Sequence, residues 1–264
     1  MNFRLLVFIS FLFIFDTLFS QKYFNLDWKR EAAILGLSGA SFTYGELTNS
    51  NIQPLTISQI NALSVSDISS FDRSATDHID GWAADVSNLG VISCMAAPLT
   101  LFLDKKIQSE FMTIGVMYAE VLGLGTTLPS LTKNSVHRIR PYVYHPDKDI
   151  ESKMSLDAQR SFFSGHTCVA FSSAVFLSTV YSTYFPKSKW KPVVWGGSLL
   201  AAGTVGFMRY RSGNHFPTDI LVGACVGAGI GYLVPRLHRN KTNSLSIAPI
   251  MTDQTMSFYL SYQF

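Results

Sequence analysis

From residue 89 to residue 237 the chain repeats one pattern, an apolar, small-residue-rich run followed by a polar turn. Five such runs occur, at about 89–103, 111–128, 167–184, 193–208 and 220–237. Several are close to the ~17-residue lower limit for a helix crossing a bilayer. Gly, Ala, Ser and Thr are frequent within them, as in membrane helices that pack closely on one another. Only 15% of the 264 residues are charged, against about 25% in an ordinary soluble domain. These features predict an all-α, multi-helix, membrane-embedded bundle. A soluble bundle of buried helices is the alternative.

The turns carry the orientation. Lys105 and Lys106 lie in one, Lys187, Lys189 and Lys191 in another, and Arg236, Arg239 and Lys241 follow the last run. Alternation puts these three groups on one face, which the positive-inside rule makes cytoplasmic. Residues 129–165 and 209–218 then share the opposite face. The net charge of +3 is small and the basic residues are dispersed, which argues against a nucleic-acid partner. Cys94, Cys168 and Cys225 sit within apolar segments without metal-ligand spacing, and read as small buried hydrophobes.

The ends differ from the middle. Residues 1–20 have an early Arg4, an apolar run interrupted by Asp16, and Ser20 before Gln21. That is the pattern of a signal peptide or an uncleaved N-terminal anchor. Residues 21–87 read as a helical, outside-facing segment. Within it, 31–47 either spans the membrane or lies at its interface, and Thr56 or Ser58 caps one of two short helices. Residues 238–264 form a tail in which Phe258, Leu260, Tyr262 and Phe264 alternate with small or polar residues. This period, with a turn between Thr252 and Thr255, predicts a small docked β-hairpin.

Three polar clusters fall on the outside face. The first supplies Lys133, His137, Arg138, Arg140 and Pro141, the second Ser164, Gly165 and His166, and the third Arg209, Arg211, His215 and Asp219. Several fixed cations around two histidines suit an oxyanion, above all phosphate. Ser164 and Gly165 open a helix whose free N–H groups would point at an anion. If 215–219 is helical, His215 and Asp219 share a face. The aspartate would then fix the ring tautomer and free the other nitrogen as a nucleophile. His166 would start protonated, donate to the leaving oxygen and later activate water. Carboxylates are too few here for a two-metal site. Arg138, Arg211 and His137 read as facing headgroups or solvent, and His78 and His145 have no assigned role.

Taken together, Lys133…Arg140-Pro141, Ser164-Gly165-His166 and Arg209…His215…Asp219 resemble the motifs of the type 2 phosphatidic acid phosphatase superfamily. That family also contains bacterial class A acid phosphatases and vanadium haloperoxidases. Phe163 stands where the family commonly has proline, and Met208 where it commonly has serine. The resemblance implies a helical phosphatase core over 88–237. Lys133, Arg140 and Arg209 would hold phosphate with Ser164 and the Gly165 amide. His215 would become phosphorylated, Asp219 would orient it, and His166 would serve the leaving group. The implied activity is metal-independent hydrolysis of a lipid phosphate or pyrophosphate, without cofactor, at the periplasmic face of a cytoplasmic membrane. The implied partners are a phosphorylated lipid or isoprenoid substrate and membrane lipids. A periplasmic phosphatase for soluble substrates, a vanadate-dependent haloperoxidase and a non-catalytic headgroup-binding protein are the alternatives.

Overall fold

The computed structural model describes residues 22–49, 52–240, 244–252 and 255–263. The expected signal peptide or anchor, residues 1–20, lies outside them. The chain divides into two compact units, Leu26–His238 and a smaller one drawn from the two chain ends.

The larger unit is built on six long helices. They are α1 (Trp28–Asn49), α2 (Gly81–Ala96, continued by a 3-10 stretch Ala97–Leu103), α3 (Phe111–Val136), α4 (Gly165–Tyr184), α5 (Lys191–Arg211) and α6 (Pro217–Leu237). Local chemistry sets their ends. Pro192 and Pro217 occupy first-turn positions of α5 and α6, where a missing N–H costs nothing. α3 stops where His137 turns left-handed at φ 51°. Between α1 and α2 the chain makes only short helical turns, the first held by a capping box of Thr56 and Gln59.

Among the described residues, three stretches are long and apolar enough to cross a membrane, Gly81–Leu103, Phe111–Tyr144 and Pro217–Leu237. Five were expected. α4 and α5 form where the apolar runs predict helices but are less apolar, and for α4 the packing explains why. It is enclosed by α2, α3, α5 and α6, so it needs no lipid-facing surface, and its Ser172, Ser173 and Ser178 are fully buried. Two of those hydroxyls bond between helices, Ser173 Oγ with Tyr118 Oη at 2.9 Å and Ser178 Oγ with Ser198 Oγ at 2.8 Å, while Ser172 Oγ donates to Val169 O within α4 at 3.0 Å. Large apolar residues face the other way. Leu103 is 83% exposed and Leu200 73%. Polar groups inside and leucines outside is the distribution a lipid solvent requires. α1, the stretch that contains 31–47, packs along α3 and is not among the three apolar spans. Cys225 is exposed, contrary to expectation, while Cys94 and Cys168 are buried.

The closest packing is between α4 and α6. A methyl group on Gly223, Gly227 or Gly231 would lie 2.7, 2.2 or 2.3 Å from the carbonyl oxygen of Ser164, Cys168 or Ser172. Both triplets advance four residues at a time in the same direction. The two helices therefore run parallel in backbone contact, with their N-termini at one end of the bundle.

The fold-class expectation, an all-α bundle carrying a docked C-terminal β-hairpin, is corrected in its second part. The unit Leu26–His238 contains no strand among its described residues. β1 (Ser244–Thr252) and β2 (Thr255–Gln263) pair antiparallel with each other in a two-stranded sheet, inside the smaller unit. A strand period calls for a strand edge to pair with, and a helical bundle has none to offer. In the same unit, Phe24 and Arg239 form a β-bridge.

The glycine contact gives a stability prediction. Gly227→Ala places a methyl 2.2 Å from the Cys168 oxygen, an overpacking that costs about 1–3 kcal/mol. Its melting temperature in detergent should fall by several degrees. Gly229→Ala, where nothing lies within 4 Å, should melt at or slightly above wild type. Equal melting of the two variants would contradict the contact.

Candidate active site

Parallel packing of α4 and α6 brings two helix N-termini together, and the C-terminal turns of α3 and α5 reach the same end. Four backbone bonds join the motif-bearing segments. The Arg140 amide donates to Ala158 O (2.8 Å), Ser161 to Arg138 O (3.0 Å), Tyr142 to Gly213 O (2.9 Å) and Ser164 to Asp219 O (3.1 Å). Gly213 allows the third of these. It has φ +66°, and a methyl there would overlap the His78 carbonyl.

His215 is 1% exposed. Its Nδ1 lies 2.7 Å from the Ser161 carbonyl oxygen. That oxygen can only accept, so Nδ1 carries the proton and Nε2 keeps its lone pair. Nε2 is buried and has no hydrogen-bond partner. Burial, then the charges of Arg140, Lys133 and Arg209, hold this ring well below the usual imidazole value. His215 is therefore a neutral base with one free nitrogen.

Asp219 reaches His215 differently from the sequence expectation. α6 begins at Pro217 with Phe216 as its cap, so His215 stands outside the helix and the four-residue spacing does not stack the two side chains. Asp219 Oδ2 is 3.8 Å from Nδ1. The same oxygen accepts from Ser161 Oγ at 2.5 Å and from the Phe216 amide at 2.9 Å. Asp219 thus holds Ser161, and Ser161 holds His215.

Behind Asp219 stands Arg138, which the sequence reading assigned to headgroups or solvent. It pairs with Asp219 at 2.5 Å and Asp72 at 2.8 Å, donates to Thr218 Oγ1 at 2.8 Å and covers the Phe216 ring at 4.2 Å. Arg211 likewise pairs with Asp80 at 2.6 Å. His137 is exposed, as expected. Asp72 and Ser161 gave no sequence signal, because one sits in a generic polar stretch and the other acts through a carbonyl oxygen.

The cations gather nearby. Arg140 is 3% exposed and held by Asp157 (2.7 Å) and by Asn214 Oδ1 (2.7 Å). Arg209 is 7% exposed, donates to Ser87 Oγ at 3.3 Å, and keeps a buried Nε without a partner. Lys133 lies in the last turn of α3. A methyl on Gly165 would meet its Nζ at 3.9 Å, so the bare glycine leaves room before the ammonium. Ser164 is fully buried and its Oγ is engaged with Thr167, 2.8 Å from its hydroxyl. Its hydroxyl serves as the cap of α4. His166 follows, with Nε2 2.9 Å from Asn88 Oδ1, a partner that sequence could not supply. Burial, then Arg209, Lys133 and Arg140, push His166 down to about 3. The ring is neutral here rather than protonated as expected.

A cavity of about 330 Å3 opens on this end of the bundle. Lys133, Arg160, Gly165 and His166 line one part, and Phe42, Val91, Met95 and Val169 are in the apolar remainder. Among the described residues, the group of acids and histidine with metal-ligand spacing lies elsewhere, at Glu31, Glu120 and His238.

Residues 114–243 match the family model of the PAP2 superfamily. The chain is 31% identical to the probable diacylglycerol pyrophosphate phosphatase 1 of Schizosaccharomyces pombe, covering 56% of this chain and 62% of that protein. It is 30% identical to a lipid A 4'-phosphatase of Porphyromonas gingivalis, covering 56% and 60%. The chain thus spans about three fifths of the length of these relatives. Among solved structures it is similar to a PAP2-type phosphatidylglycerolphosphate phosphatase from Bacillus subtilis, with 20% identity and a TM-score of 0.48 over 76% of this chain and 94% of that one. It is also similar to LpxE from Aquifex aeolicus, with 22% identity and a TM-score of 0.43 over 62% and 92%. Residues 133–141, 164–166 and 209–219 all fall within the segment that matches the PAP2 superfamily.

Proposed function

We propose that this protein hydrolyses the phosphate or pyrophosphate ester of a lipid, with His215 as the nucleophile. The observation that carries the reading is the unpartnered, buried Nε2 of His215, in a site where Lys133, Arg140 and Arg209 supply the positive charge. The 31%-identical relative is named a diacylglycerol pyrophosphate phosphatase and the 30%-identical one a lipid A phosphatase, which supports the substrate class.

In the first step His215 Nε2 attacks phosphorus, and the bond from phosphorus to the ester oxygen breaks. Lys133, Arg140 and Arg209 take up the charge on the other phosphate oxygens. His166 gives the leaving oxygen its proton. Burial is the main cause that holds His166 down, and a phosphate dianion beside those three cations offsets the second, their positive charge, so substrate binding moves the ring toward protonation. In the second step water attacks phosphorus, the phosphorus–nitrogen bond breaks, and His166 takes the water's proton. Asp219 acts at one remove, by fixing Ser161 and so the tautomer of His215. None of these roles calls for a metal ion. The apolar wall of Phe42, Val91, Met95 and Val169 accommodates a hydrocarbon tail, and this favours a lipid ester over a soluble one.

The site faces away from the cytoplasm on this reading, because Lys105, Lys106, Lys187, Lys189 and Lys191 lie in turns at the opposite end. A cysteine at exposed position 137 (His137→Cys), in a chain without native cysteines, should react with an impermeant thiol reagent in cells with an intact inner membrane. Reaction only after permeabilisation would reverse the orientation.

Purified protein in mild detergent, with EDTA present, should release phosphate from at least one of phosphatidic acid, phosphatidylglycerol phosphate and undecaprenyl pyrophosphate. His215→Ala should be silent. Asp219→Asn should lower kcat by about 100-fold, less than the roughly 10⁴-fold loss when the directly bonded aspartate of a serine-protease triad is changed. Activity confined to a soluble aryl phosphate would contradict the lipid assignment. Bromide-dependent peroxidation with vanadate, without phosphate release, would contradict hydrolysis.

A further inference from the structure

A second buried polar cluster lies at the other end of the bundle. Glu31 stands in the first turn of α1, Glu120 in α3, and His238 just beyond α6. Glu120 is thirteen residues from Lys133 along one helix, about 20 Å at 1.5 Å per residue. The cluster takes no part in the phosphoryl chemistry.

Its three side chains turn a ring nitrogen and two carboxyl groups to one point. His238 and Glu120 are both 0% exposed, and Glu31 is buried. His238 Nδ1 lies 2.8 Å from the Val234 carbonyl oxygen, so Nδ1 must donate and Nε2 is turned toward the two acids. Nε2 is 3.0 Å from Glu31 Oε2 and 3.3 Å from Glu120 Oε2. One ligand atom from each of the three residues can be chosen so that all lie within 4.8 Å of one another. Glu31 is held from behind, its Oε1 accepting from the Asp27 amide at 2.7 Å and from Arg30 at 2.9 Å. Neither oxygen of Glu120 has a hydrogen-bond partner.

A ring nitrogen 3.0 Å from one carboxylate oxygen and 3.3 Å from another calls for a proton or a metal ion among them. Arg30 sits beside Glu31, bonding Oε1 and also Oε2 at 3.2 Å. Two buried carboxyl groups beside that one guanidinium, with the oxygens of Glu120 lacking a hydrogen-bond partner, are an expensive arrangement. The spacing fits a small metal ion. With metal–ligand bonds of about 2.0–2.1 Å, neighbouring ligands of a tetrahedral centre lie about 3.3 Å apart. One imidazole with two carboxylates suits a zinc-like first-row ion better than magnesium or calcium, which prefer oxygen alone. The supporting bonds are also those of a metal site, since His238 donates its other nitrogen to a carbonyl and Glu31 is fixed by Asp27 and Arg30.

The geometry points to a structural zinc-type site formed by Glu31, Glu120 and His238, which clamps α1, α3 and the end of α6 together. The second oxygen of Glu120 is available as a fourth ligand. The competing occupant is a proton shared among the three groups, with no metal.

The test uses the full chain in detergent, purified without a polyhistidine tag and stripped with chelator. Zinc should bind at one ion per chain, measured by plasma mass spectrometry. At 100-fold excess over Kd it should raise the melting temperature by about 5–10 °C, with magnesium and calcium inert. Glu120→Gln, a near-isosteric change, should weaken zinc binding by more than about 100-fold and abolish the thermal response. His238→Gln should do the same, and provides the comparison should Glu120→Gln fail to fold. Stripped wild type that takes up no zinc overturns the site, and so does a folded variant that responds like wild type. Neither readout depends on turnover, so the result is independent of the phosphatase reading.

Discussion

The backbone contact between α4 and α6 is the constraint from which the rest of the site follows. Helices that touch through glycine at Gly223, Gly227 and Gly231 cannot slide without driving Cα atoms into the carbonyls of Ser164, Cys168 and Ser172. The register is therefore fixed at the level of single residues. It sets Ser164 against Asp219, as their 3.1 Å backbone bond records. From there Asp219 reaches Ser161, and Ser161 reaches His215. A glycine contact in the middle of the bundle thereby positions an imidazole at its end.

Electrostatics then divides the two ends. At the active end the cations are fixed by partners that leave part of their capacity free. Arg140 is braced by Asp157 and Asn214, and Arg209 keeps an unpartnered Nε. Arg138 is different, because its charge is spent on Asp72 and Asp219. Removing one partner from such a buried pair costs about 3–5 kcal/mol, so Arg138 serves the scaffold. At the other end Glu31, Glu120 and His238 converge on one buried point.

Much of this was legible in the sequence. The apolar runs gave the places of α2 to α6, and the three motif clusters gave the segments that meet. The clusters were readable because their chemistry lives in side chains at fixed spacing. What failed had specific physical causes. The spacing of His215 and Asp219 suggested a helical pair, but Pro217 starts the helix two residues after the histidine. Arg138 was read as peripheral because its partners Asp72 and Asp219 are 66 and 81 residues away. The Ser161 carbonyl carries no residue-type signal at all. Five spans were expected and three stretches are apolar enough, because α4 hides its serines among other helices. The period-two tail suggested a docked hairpin, and among the described residues its two strands pair with each other, within the smaller unit.

The central claim is that His215, neutral and with Nε2 free, forms a bond to phosphorus. Rapid quench of the wild-type protein with a phosphorus-labelled lipid phosphate, under alkaline conditions that preserve phosphoramidates, tests it most directly. The account predicts a transient label on the peptide that contains His215, acid-labile and absent from His215→Ala. Wild-type turnover at full rate with no labelled histidine, or with label on another residue, would contradict it.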